Sequence, residues 1–532
     1  MATTSRYAAP QAPQLAEGWT LERLTPPSRL FGANGLRTGP DGRLYVAQVS
    51  GSQISAIDVN TGVIETISAK GGDIVAPDDI CFDDDGNLYA TEITEGRISM
   101  RARNGTTRVI SADVPVANPI SFHQGRLFVG ECRPGGRIME LDRDTGAQRI
   151  IVRDVPMPNA FSVGPDGKLY FPVMGANEIW RIGLDGGAPE KVAGDLGVPD
   201  AVKFDAQGFI ISTQVASGQV LRIDPRNGER SVLAQLLPGL DNLSFIGERL
   251  FVSNISGTIT ELLKDGSTRD LVGNGYNWPL GLAVDADGSL YVADGAFSWR
   301  LQPASGARTI LGMLFSPGYP GYSRGVAARA PGEFVVTTAD GVVALYRPGS
   351  NESEVLAKGF DQLYGITVAP RGAVVFAEQG GGRVLSVANG EVETLASGLR
   401  APSGVAVGSD GTVYASESAG GRVVKIAGGK TDTVLDGLTQ PQGLLLQGGM
   451  LYIVDAGAKQ LIRVDLARGT RSVMATELPV GAPAGVTPKF LGPIGTLSGP
   501  MGPFAGIAAG ADGTIYLSAD AEGSVLALLP PR

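Results

Sequence analysis

Histidine and cysteine are nearly absent from this 532-residue chain, which contains only His123, Cys81 and Cys132. Two cysteines do not form a disulfide framework, and we expect both to be buried thiols. No Cys/His zinc pattern, glycine-rich phosphate loop or nucleophile elbow is found. These absences exclude the common sequence signatures of zinc, phosphoryl-transfer and serine-nucleophile chemistry.

Long apolar runs, basic runs and helical periodicity are also missing. No apolar stretch approaches the ~20 residues of a membrane span, and the N-terminus lacks the apolar core of a signal peptide. The net charge is −10 without any basic run, so we expect no nucleic-acid partner. The sequence therefore predicts a soluble, cytoplasmic protein that acts on a small-molecule substrate and not at a membrane.

Glycine and proline are abundant instead. The chain has 76 glycines and 34 prolines, yet 43% of its residues are hydrophobic, which is typical of a turn-dense globular protein. Short segments such as "RLYVAQVS" and "SLYVADGA" alternate apolar and polar residues, and Asp-Gly turns such as "PDGK" separate them. This pattern predicts an all-β fold.

A unit of this kind recurs twelve times with a period of about forty residues. We follow it through the residue that precedes the small residue at the start of each unit's first strand. That residue is Asn34, Asp78, Asn118, Asn159, Asp200, Asp241, Leu280, Arg324, Tyr364, Ser403, Gln442 and Ala505. Three or four short strands per unit indicate a β-propeller, and propellers usually have 4–8 blades. The sequence therefore predicts two tandem six-bladed β-propellers.

The predicted boundaries follow from this count. We expect a flexible tail over 1–18, a strand within 19–33 that closes the second propeller, a first propeller over 34–277 and a second over 278–532. The last unit stops after three strands, and the strand-like segment 18–27 belongs to no repeat. Because an unpaired sheet edge is unfavourable, this segment is predicted to supply the missing strand.

The twelve marked positions differ sharply between the two halves. In a propeller the first strand of each blade lines the central channel, so these residues meet at one mouth. The first six are all Asn or Asp, whereas the last six are Leu, Arg, Tyr, Ser, Gln and Ala. Asx residues also favour turns before strands, which is an alternative explanation. The second half serves as an internal control and favours a functional ring in the first.

Carboxylates crowded at one mouth repel each other unless a cation neutralises them. Carboxylate and amide oxygens, without thiol or imidazole, suit a hard ion such as Ca²⁺ or Mg²⁺. Such an ion polarises a carbonyl group and lowers the pKa of water, while a remaining carboxylate can act as a general base. The pattern therefore predicts a site for a divalent metal.

Three short motifs carry a resemblance to known families. "PNA" at 158–160 and "PDA" at 199–201 resemble the Pro-Asn-Gly and Pro-Asp-Gly motifs of the regucalcin/gluconolactonase (SMP-30-like) family, and "LDNLSF" at 240–245 resembles a paraoxonase motif. The repeat itself is similar to NHL repeats and to virginiamycin B lyase. The resemblance implies metal ligands among Asn118, Asn159, Asp200, Asp241 and Asn242. It leaves Asn34 and Asp78 to contact the substrate, and it makes Asp200, Asp241 and Asp78 the candidate catalytic residues.

The chain departs from these families at several positions. Asn34 stands where the family has a glutamate, and Ala160 and Ala201 replace glycines. Paraoxonase-like enzymes use a histidine dyad, whereas His123 is predicted in a turn on the opposite face. Glutamates that end second strands, such as Glu92 and Glu417, occupy a slot that also holds Asp294, so we interpret them as repeat residues.

The resemblance implies a metal-dependent hydrolase of a lactone or related cyclic ester. Two alternatives remain open. The same metal site could serve a lyase that cleaves a C–O or C–C bond, and an NHL-type repeat could be a binding scaffold without chemistry. Metal content separates the scaffold from the two enzymes, and the mass of the product separates hydrolysis from elimination.

Overall fold

The computed structural model describes residues 5–8, 11–273 and 275–531. These residues form an all-β structure with one short 3-10 turn, Met174–Ala176. Their strands make twelve antiparallel sheets, of which eleven have four strands and one has five. In each sheet the strands that pair are neighbours in the chain, apart from two N-terminal strands described below, and this is the arrangement of β-propeller blades. Among the described residues no helix is long and apolar enough to cross a membrane.

The chain divides into two compact units. The first comprises residues 29–273 and 487–496, and the second comprises 5–8, 11–28, 275–486 and 497–531, counting the described residues. Segment 487–496 thus packs in the first unit, although its place in the repeat lies within 278–532.

Two short strands precede the repeats, β1 (Gln14–Leu15) and β2 (Thr20–Arg23). The six sheets of the first unit follow in chain order. They consist of β3 (Leu36–Thr38), β4 (Leu44–Gln48), β5 (Gln53–Ile57) and β6 (Ile64–Ser68); β7 (Pro77–Phe82), β8 (Leu88–Glu92), β9 (Arg97–Arg101) and β10 (Thr107–Ser111); β11 (Ala117–His123), β12 (Arg126–Glu131), β13 (Gly136–Leu141) and β14 (Gln148–Val155); β15 (Ser162–Val163), β16 (Lys168–Val173), β17 (Glu178–Gly183) and β18 (Glu190–Ala193); β19 (Pro199–Phe204), β20 (Ile210–Gln214), β21 (Gln219–Ile223) and β22 (Arg230–Gln235); and β23 (Leu240–Ile246), β24 (Arg249–Asn254), β25 (Ile259–Leu262) and β26 (Thr268–Val272).

The second unit repeats the arrangement. Its sheets consist of β27 (Leu282–Val284), β28 (Leu290–Asp294), β29 (Phe297–Gln302) and β30 (Ala307–Met313); β31 (Ser323–Ala330), β32 (Glu333–Thr338), β33 (Val342–Arg347) and β34 (Glu352–Lys358); β35 (Leu363–Val368), β36 (Val374–Glu378), β37 (Arg383–Ala388) and β38 (Glu391–Ala396); β39 (Pro402–Val407), β40 (Val413–Glu417), β41 (Arg422–Ala427) and β42 (Lys430–Leu435); β43 (Pro441–Gln447), β44 (Met450–Asp455), β45 (Gln460–Asp465) and β46 (Thr470–Thr476); and β47 (Ile507–Ala509), β48 (Ile515–Ala519) and β49 (Ser524–Leu529).

The turns follow directly from the sequence. In the fourth sheet, β15 and β16 are joined by the turn around Asp166 and Gly167, and Gly167 has a φ of 73°, which favours glycine. The Asp166 carboxylate accepts a hydrogen bond of 2.9 Å from the Tyr170 hydroxyl. Asp-Gly turns of the same kind recur in both units, which explains the regular spacing of the repeats.

Apolar residues pack between consecutive sheets. In the first unit, Tyr45 and Ile54 of the first sheet are buried with Ile80 and Ala90 of the second. The sixth sheet packs back against the first, because Leu36 shares a cluster with Phe251 and Ile259. The core is therefore a circle of inter-sheet layers and not one central cluster.

The N-terminal segment completes two sheets of the second unit. Strand β2 pairs with β49, with Leu21 opposite Leu528, and makes the last sheet four-stranded. Strand β1 pairs with β46 as a fifth strand. The sequence predicts a flexible tail over 1–18; within it Arg6 is half-buried, and its guanidinium donates to the carbonyls of Asn277 and Asp520. Residues 1–4 and 9–10 lie outside the described residues.

Deletion of residues 1–27 should lower the melting temperature by about 10 °C or cause aggregation. The deletion exposes β49, including the fully buried Leu526 and Leu528, and burial of a leucine stabilises by ~1.5–3 kcal/mol. Thermal unfolding followed by circular dichroism measures the change.

A matched pair of substitutions within β2 controls for this deletion. Leu21 packs against the adjoining core cluster, whereas Glu22 is exposed. Leu21→Ala should therefore lower the melting temperature and Glu22→Ala should leave it nearly unchanged. An unchanged melting curve for the deletion would show that β2 does not stabilise the last sheet.

Candidate active site at the mouth of the first unit

The six Asx positions of the first unit share one location. Asp78, Asn118, Asp200 and Asp241 lie near the start of the first strand of their sheets, and Asn34 and Asn159 directly precede theirs. The register of these strands shifts just at this place, for example between Pro77 and Ile80. Such a bulge redirects a side chain from the sheet. The bonds from Asn34 to Asp241 and from Asn159 to Asp200 show that Asx side chains of adjoining sheets meet here.

The backbone gives no local reason for an Asx residue here. The same register shift occurs in the second unit, between Pro441 and Leu444, where the corresponding residue is Gln442. In four blades of the first unit the left-handed backbone falls two residues earlier, at Ala76, Val116, Met157 and Val198. The bulge therefore belongs to the fold, and the choice of Asp or Asn is specific to the first unit.

Three carboxylates form the centre of the site. Asp78, Asp200 and Asp241 are 6, 6 and 9% exposed. Burial, followed by the nearby charge of Asp79, raises the pKa of Asp78 to about 8. Burial and the charge of Asp78 raise the pKa of Asp200 well above its usual value. Burial and the charges of Asp200 and Asp78 do the same for Asp241. The three groups therefore repel one another in a site of low polarity.

These carboxylates have few hydrogen bonds to offset their burial. Asp200 accepts one bond of 3.0 Å from the Asn159 amide, and Asp241 accepts one of 3.0 Å from the Asn34 amide. Among the described residues, no hydrogen bond reaches the carboxylate of Asp78. Their oxygens are therefore free for protons, a cation or a substrate.

The amides have different surroundings. The side-chain oxygen of Asn34 accepts from the amide of Val49, and that of Asn159 accepts from the amide of Ala160. Asn118 is buried, and no hydrogen bond of its side chain is found within the described part of the chain. Asn118 is thus the amide most available to a ligand.

Asn242 lies apart from this group. It is almost fully buried, its side-chain oxygen accepts from the amide of Leu243, and its amide donates to Asp79 at 3.3 Å. Arg37 also reaches Asp79, at 3.3 Å, and donates to the carbonyl of Ile120 at 3.1 Å. The bond from Asn242 to Asp79 and the bond from Arg37 to Ile120 join sheets that are not neighbours, so these residues lie where the first strands of the unit converge. Its role as a metal ligand remains a prediction.

Sequence reasoning missed three residues of the site. Asp79 is the first, and the signal was present, since the equivalent position holds a small residue or proline in every other blade except at Asn242. Met174 is the second; its sulfur lies 3.0 Å from the Asn159 amide nitrogen. Cys132 is the third; burial and the charges of Asp200, Asp78 and Asp241 raise the pKa of its thiol. Met174 and Cys132 directly follow the second strands of their sheets, a repeated position that holds Val49, Ile93 and Val215 elsewhere in the unit. Apolar residues at this position gave no sign that it approaches the carboxylates.

The donor set fits a hard cation in part. Among the described residues, no three His, Cys, Asp or Glu side chains are arranged to hold a metal ion together. A carboxylate pair completed by amide oxygens and water is a different donor set, and Asp200, Asp241 and Asn118 supply its elements. The excess of buried negative charge favours a cation at this place. Ca²⁺ or Mg²⁺ fits oxygen donors, and no imidazole or ionised thiol faces the site.

His123 lies at the far end of its strand from Asn118. It pairs with Arg126 across the hairpin at the end of β11, and its side chain is half-buried. The glutamates that end second strands hold loops in place. Glu92 accepts from the amide of Val75 at 2.7 Å, and Glu417 accepts from the amide of Arg400 at 2.6 Å. These contacts agree with their interpretation as repeat residues.

The corresponding mouth of the second unit is covered by its own chain. Arg324 is fully buried and donates to the carbonyl of Pro500, and Gln442 accepts from the amide of Ala505 at 2.7 Å. Gly502 lies against the Tyr364 hydroxyl. Residues 500–505 therefore lie against three of the six positions that correspond to the Asx residues of the first unit.

Comparison with known proteins links the first unit to one family. A family model described as the SMP-30/gluconolactonase/LRE-like region matches residues 22–252. This match confirms the resemblance noted in the motifs, and it includes all six Asx positions of the first unit but none of the equivalent positions of the second. It covers less than half of the 532 residues. No curated protein matches the sequence at a significant level.

Several solved structures have a similar course of the chain. A streptogramin B lyase is 18% identical, with 52% of this chain and 96% of that chain covered and a TM-score of 0.39. Virginiamycin B lyase from Staphylococcus aureus is 17% identical, with 54% of this chain and 97% of that chain covered and a TM-score of 0.39. A protein named provisionally as a gluconolactonase is 18% identical, with 48% of this chain and 94% of that chain covered and a TM-score of 0.38.

Without divalent cations, the free energy of unfolding should fall as the pH rises from about 5 to about 8. Unfolded carboxyls release their protons near pH ~4, whereas Asp78 keeps its proton up to about pH 8 in the folded state. The stability from these protons is complete below pH ~4 and is lost as the pH rises through 8. Added Ca²⁺ competes with protons, so it should raise the melting temperature more at pH 8 than at pH 5.

Asp78→Asn provides the control, because it removes one titrating group with little change of shape. This variant should flatten the dependence of stability on pH. Thermal unfolding at several pH values, with chelator and with Ca²⁺, tests both statements. Equal stabilisation by Ca²⁺ at the two pH values would contradict the assignment of the cation to these carboxylates.

Proposed function

We propose that the chain is a metal-dependent hydrolase of a lactone or related cyclic ester, with its active site at the mouth of the first unit. The cluster of Asp78, Asp200 and Asp241 carries the proposal, because these buried carboxylates repel each other and have at most one hydrogen bond each. The family match over 22–252 supports the choice of reaction, since it spans these residues.

We further propose that each unit is a closed six-bladed β-propeller, so that two propellers follow in tandem. Six sheets in each unit and the packing of Leu36 against Phe251 and Ile259 support this architecture. Closure brings the six Asx positions to one mouth, which is the geometry that the reaction requires.

Asp200 and Asp241, with Asn118 and Asn159, would hold one Ca²⁺ or Mg²⁺ ion. The ion would act as a Lewis acid on the carbonyl group of the ester. Binding of the ion would relieve the repulsion between the carboxylates, so it should also stabilise the fold. Asn34, which lies beside Asp241, is placed to donate to an oxygen of the substrate.

Asp78 is the candidate general base, since among the described residues no hydrogen bond reaches its carboxylate, and a cation bound beside it would favour its ionised form. It takes a proton from the water molecule that attacks the carbonyl carbon. The C–O bond of the ring then breaks, its electron pair goes to the leaving oxygen, and that oxygen receives the proton from Asp78. The product is a hydroxy acid that contains one added water.

The same property of Asp78 favours a second candidate, a lyase. An underbonded carboxylate can equally remove a proton from the carbon next to a carbonyl group. The electron pair then forms a double bond while the C–O bond breaks, and no water is added. Mass spectrometry of the product distinguishes these two reactions, and a protein without bound metal or turnover would be a binding scaffold.

Asp200→Asn should weaken binding of the divalent ion and lower kcat/KM together, by about tenfold or more. The substitution keeps the shape of the side chain and removes its charge. Elemental analysis of protein purified without chelator, isothermal titration with Ca²⁺ and assays on a panel of lactones measure both effects. Asp166→Asn is the matched control, because Asp166 lies in a turn of the same unit and is half-exposed.

If Asp200→Asn binds the ion and turns over substrate as the parent does, the Asx residues are only structural and the scaffold reading replaces the enzyme. Loss of metal without loss of turnover would instead show that the reaction does not need the ion.

His123→Ala should retain most of the activity. His123 ends β11 beside the hairpin turn, whereas Asn118 lies near the opposite end of the same strand. Steady-state kinetics with the best lactone of the panel measure the effect. A loss of a hundredfold or more in a folded variant would contradict a mechanism based on carboxylates.

A further inference from the structure

A second, mostly polar layer follows the Asx residues along the first strands of the first unit. It is formed by the residues three positions after each Asx residue, which are Arg37, Cys81, Ser121, Ser162, Lys203 and Ser244. The equivalent residues of the second unit are Ala283, Ala327, Thr367, Ala406, Leu445 and Ala508. At this depth the second unit has one polar residue, Thr367, and no charged residue, whereas the first unit has Arg37, Lys203 and three serines.

Lys203 is the unusual member of this layer. Its side chain is half-buried as a whole, but its Nζ atom is buried and has no hydrogen-bond partner among the described residues. Burial and the neighbouring charge of Arg37 lower its pKa to about 7, against the opposing influences of Asp79 and Cys81. A buried amine that makes no hydrogen bond requires an explanation, such as an ion or water in contact with it.

Asp79, the carboxylate near Lys203, is already bonded to other groups. Asp79 accepts hydrogen bonds from Arg37 at 3.3 Å, from the Asn242 amide at 3.3 Å and from the backbone amides of Ile80 and Ile120 at 2.9 and 3.3 Å. Its hydrogen-bonding capacity is therefore used. When Lys203 is protonated, the layer holds two cations against one carboxylate, and the surplus charge is positive.

Two hydroxyl groups of the layer are also available. Within the described residues, neither Ser121 nor Ser162 makes a hydrogen bond through its side chain, whereas Ser244 is paired with Thr38 at 2.9 Å. The layer therefore contains an ammonium group, a guanidinium group and hydroxyl donors, which together match the acceptor oxygens of an oxyanion.

We propose that Lys203 and Arg37, with the free hydroxyls of Ser121 and Ser162, form a binding site for a small oxyanion in the channel of the first unit. The ligand is a phosphate ion or a carboxylate, as a free ion or as the end of an organic molecule. This site is separate from the carboxylates at the mouth, and the proposal depends neither on the metal nor on the proposed reaction.

Binding of the anion is coupled to protonation of Lys203. The groups that face Lys203 are Arg37 on β3, and Asp79 and Cys81 on β7. The Cys81 thiol stays neutral because burial raises its pKa. An anion favours the ammonium form, so it should raise the pKa of Lys203, and by linkage its affinity should be higher at pH 6 than at pH 9.

The direct test follows the Lys203 side chain by NMR in the intact protein labelled with ¹³C at the lysine Cε. Lys203→Met identifies the signal. In zwitterionic buffer without added salt, this signal should titrate near pH 7, and millimolar phosphate should raise its pKa by at least about 1 unit, equivalent to tenfold tighter binding to the protonated form. The proposal is overturned if the signal titrates near the usual pKa of ~10.4, or if its pKa does not change with phosphate.

Titrations with phosphate, acetate and chloride at equal ionic strength separate the possible ligands. Phosphate alone raising the pKa identifies an inorganic oxyanion, and acetate raising it equally identifies a carboxylate site. Equal responses to phosphate, acetate and chloride would reflect general charge screening and would overturn the proposal. Lys168 on β16 is the matched control, because its exposed amine pairs with Glu190 and should not respond.

Thermal unfolding of Lys203→Met provides a second test. Lys203→Met removes a buried amine, so it should melt at a higher temperature than the parent at pH 7 and should no longer gain stability from phosphate at pH 6. Lys168→Met should gain as the parent does. If Lys203→Met keeps the phosphate effect, the anion binds elsewhere and the proposed site is wrong.

Discussion

In the second unit, the six first strands touch at the centre through glycine. A Cβ atom on Gly281 would lie 2.5 Å from the carbonyl oxygen of Arg324, and one on Gly506 would lie 2.3 Å from the carbonyl oxygen of Leu280. Any other residue at these places would collide with the next strand. The cavity lined by these glycines measures about 30 Å³, which admits water but no organic ligand. In the first unit the equivalent residues are Gly35, Asp79, Pro119, Ala160, Ala201 and Asn242, and the centre is polar. At this position the first unit thus keeps only one glycine, Gly35, and has two polar residues, Asp79 and Asn242, where the second unit has glycine.

The carboxylate cluster is costly for the same reason that makes it useful. Burial of Asp78, Asp200 and Asp241 raises their pKa values, and each charge opposes ionisation of the others. A rigid circle of sheets can hold such groups together because its stability comes from the apolar layers between sheets and not from the channel. Mutually repelling carboxylates at the mouth are therefore compatible with a stable fold, and relief of their repulsion would favour binding of a cation.

Much of this arrangement follows from the sequence, because the repeat has a strong period and clear turns. The period located the first strand of each blade, and the contrast between Asp200 and Gln442 marked the mouth of the first unit. What the period could not give is any contact between blades. The bond from Asn242 to Asp79 and the approach of Cys132 to the carboxylates depend on closure in three dimensions. The hydrogen bonds of Arg6 were missed for a related reason, since its partners lie more than 270 residues away along the chain. A sequence pattern describes a blade and its turns, whereas long-range pairs follow from how the blades meet.

The two layers of the first channel are opposite in charge, and their separation matters for both. Lys203 follows Asp200 by three residues on the same strand, so a direct ion pair would have been the simplest outcome. Instead, the charges that most affect Asp200 are Asp78 and Asp79, and those that affect Lys203 are Arg37 and Asp79. Asp79 binds Arg37 and is supported by Asn242, so the carboxylate nearest to Lys203 is already paired. Had Lys203 neutralised Asp200, the mouth would have one carboxylate fewer to attract a cation, and the amine would have no charge left for an anion. The Asp79–Arg37 pair thus keeps the negative charge of one layer and the positive charge of the other available to separate ligands.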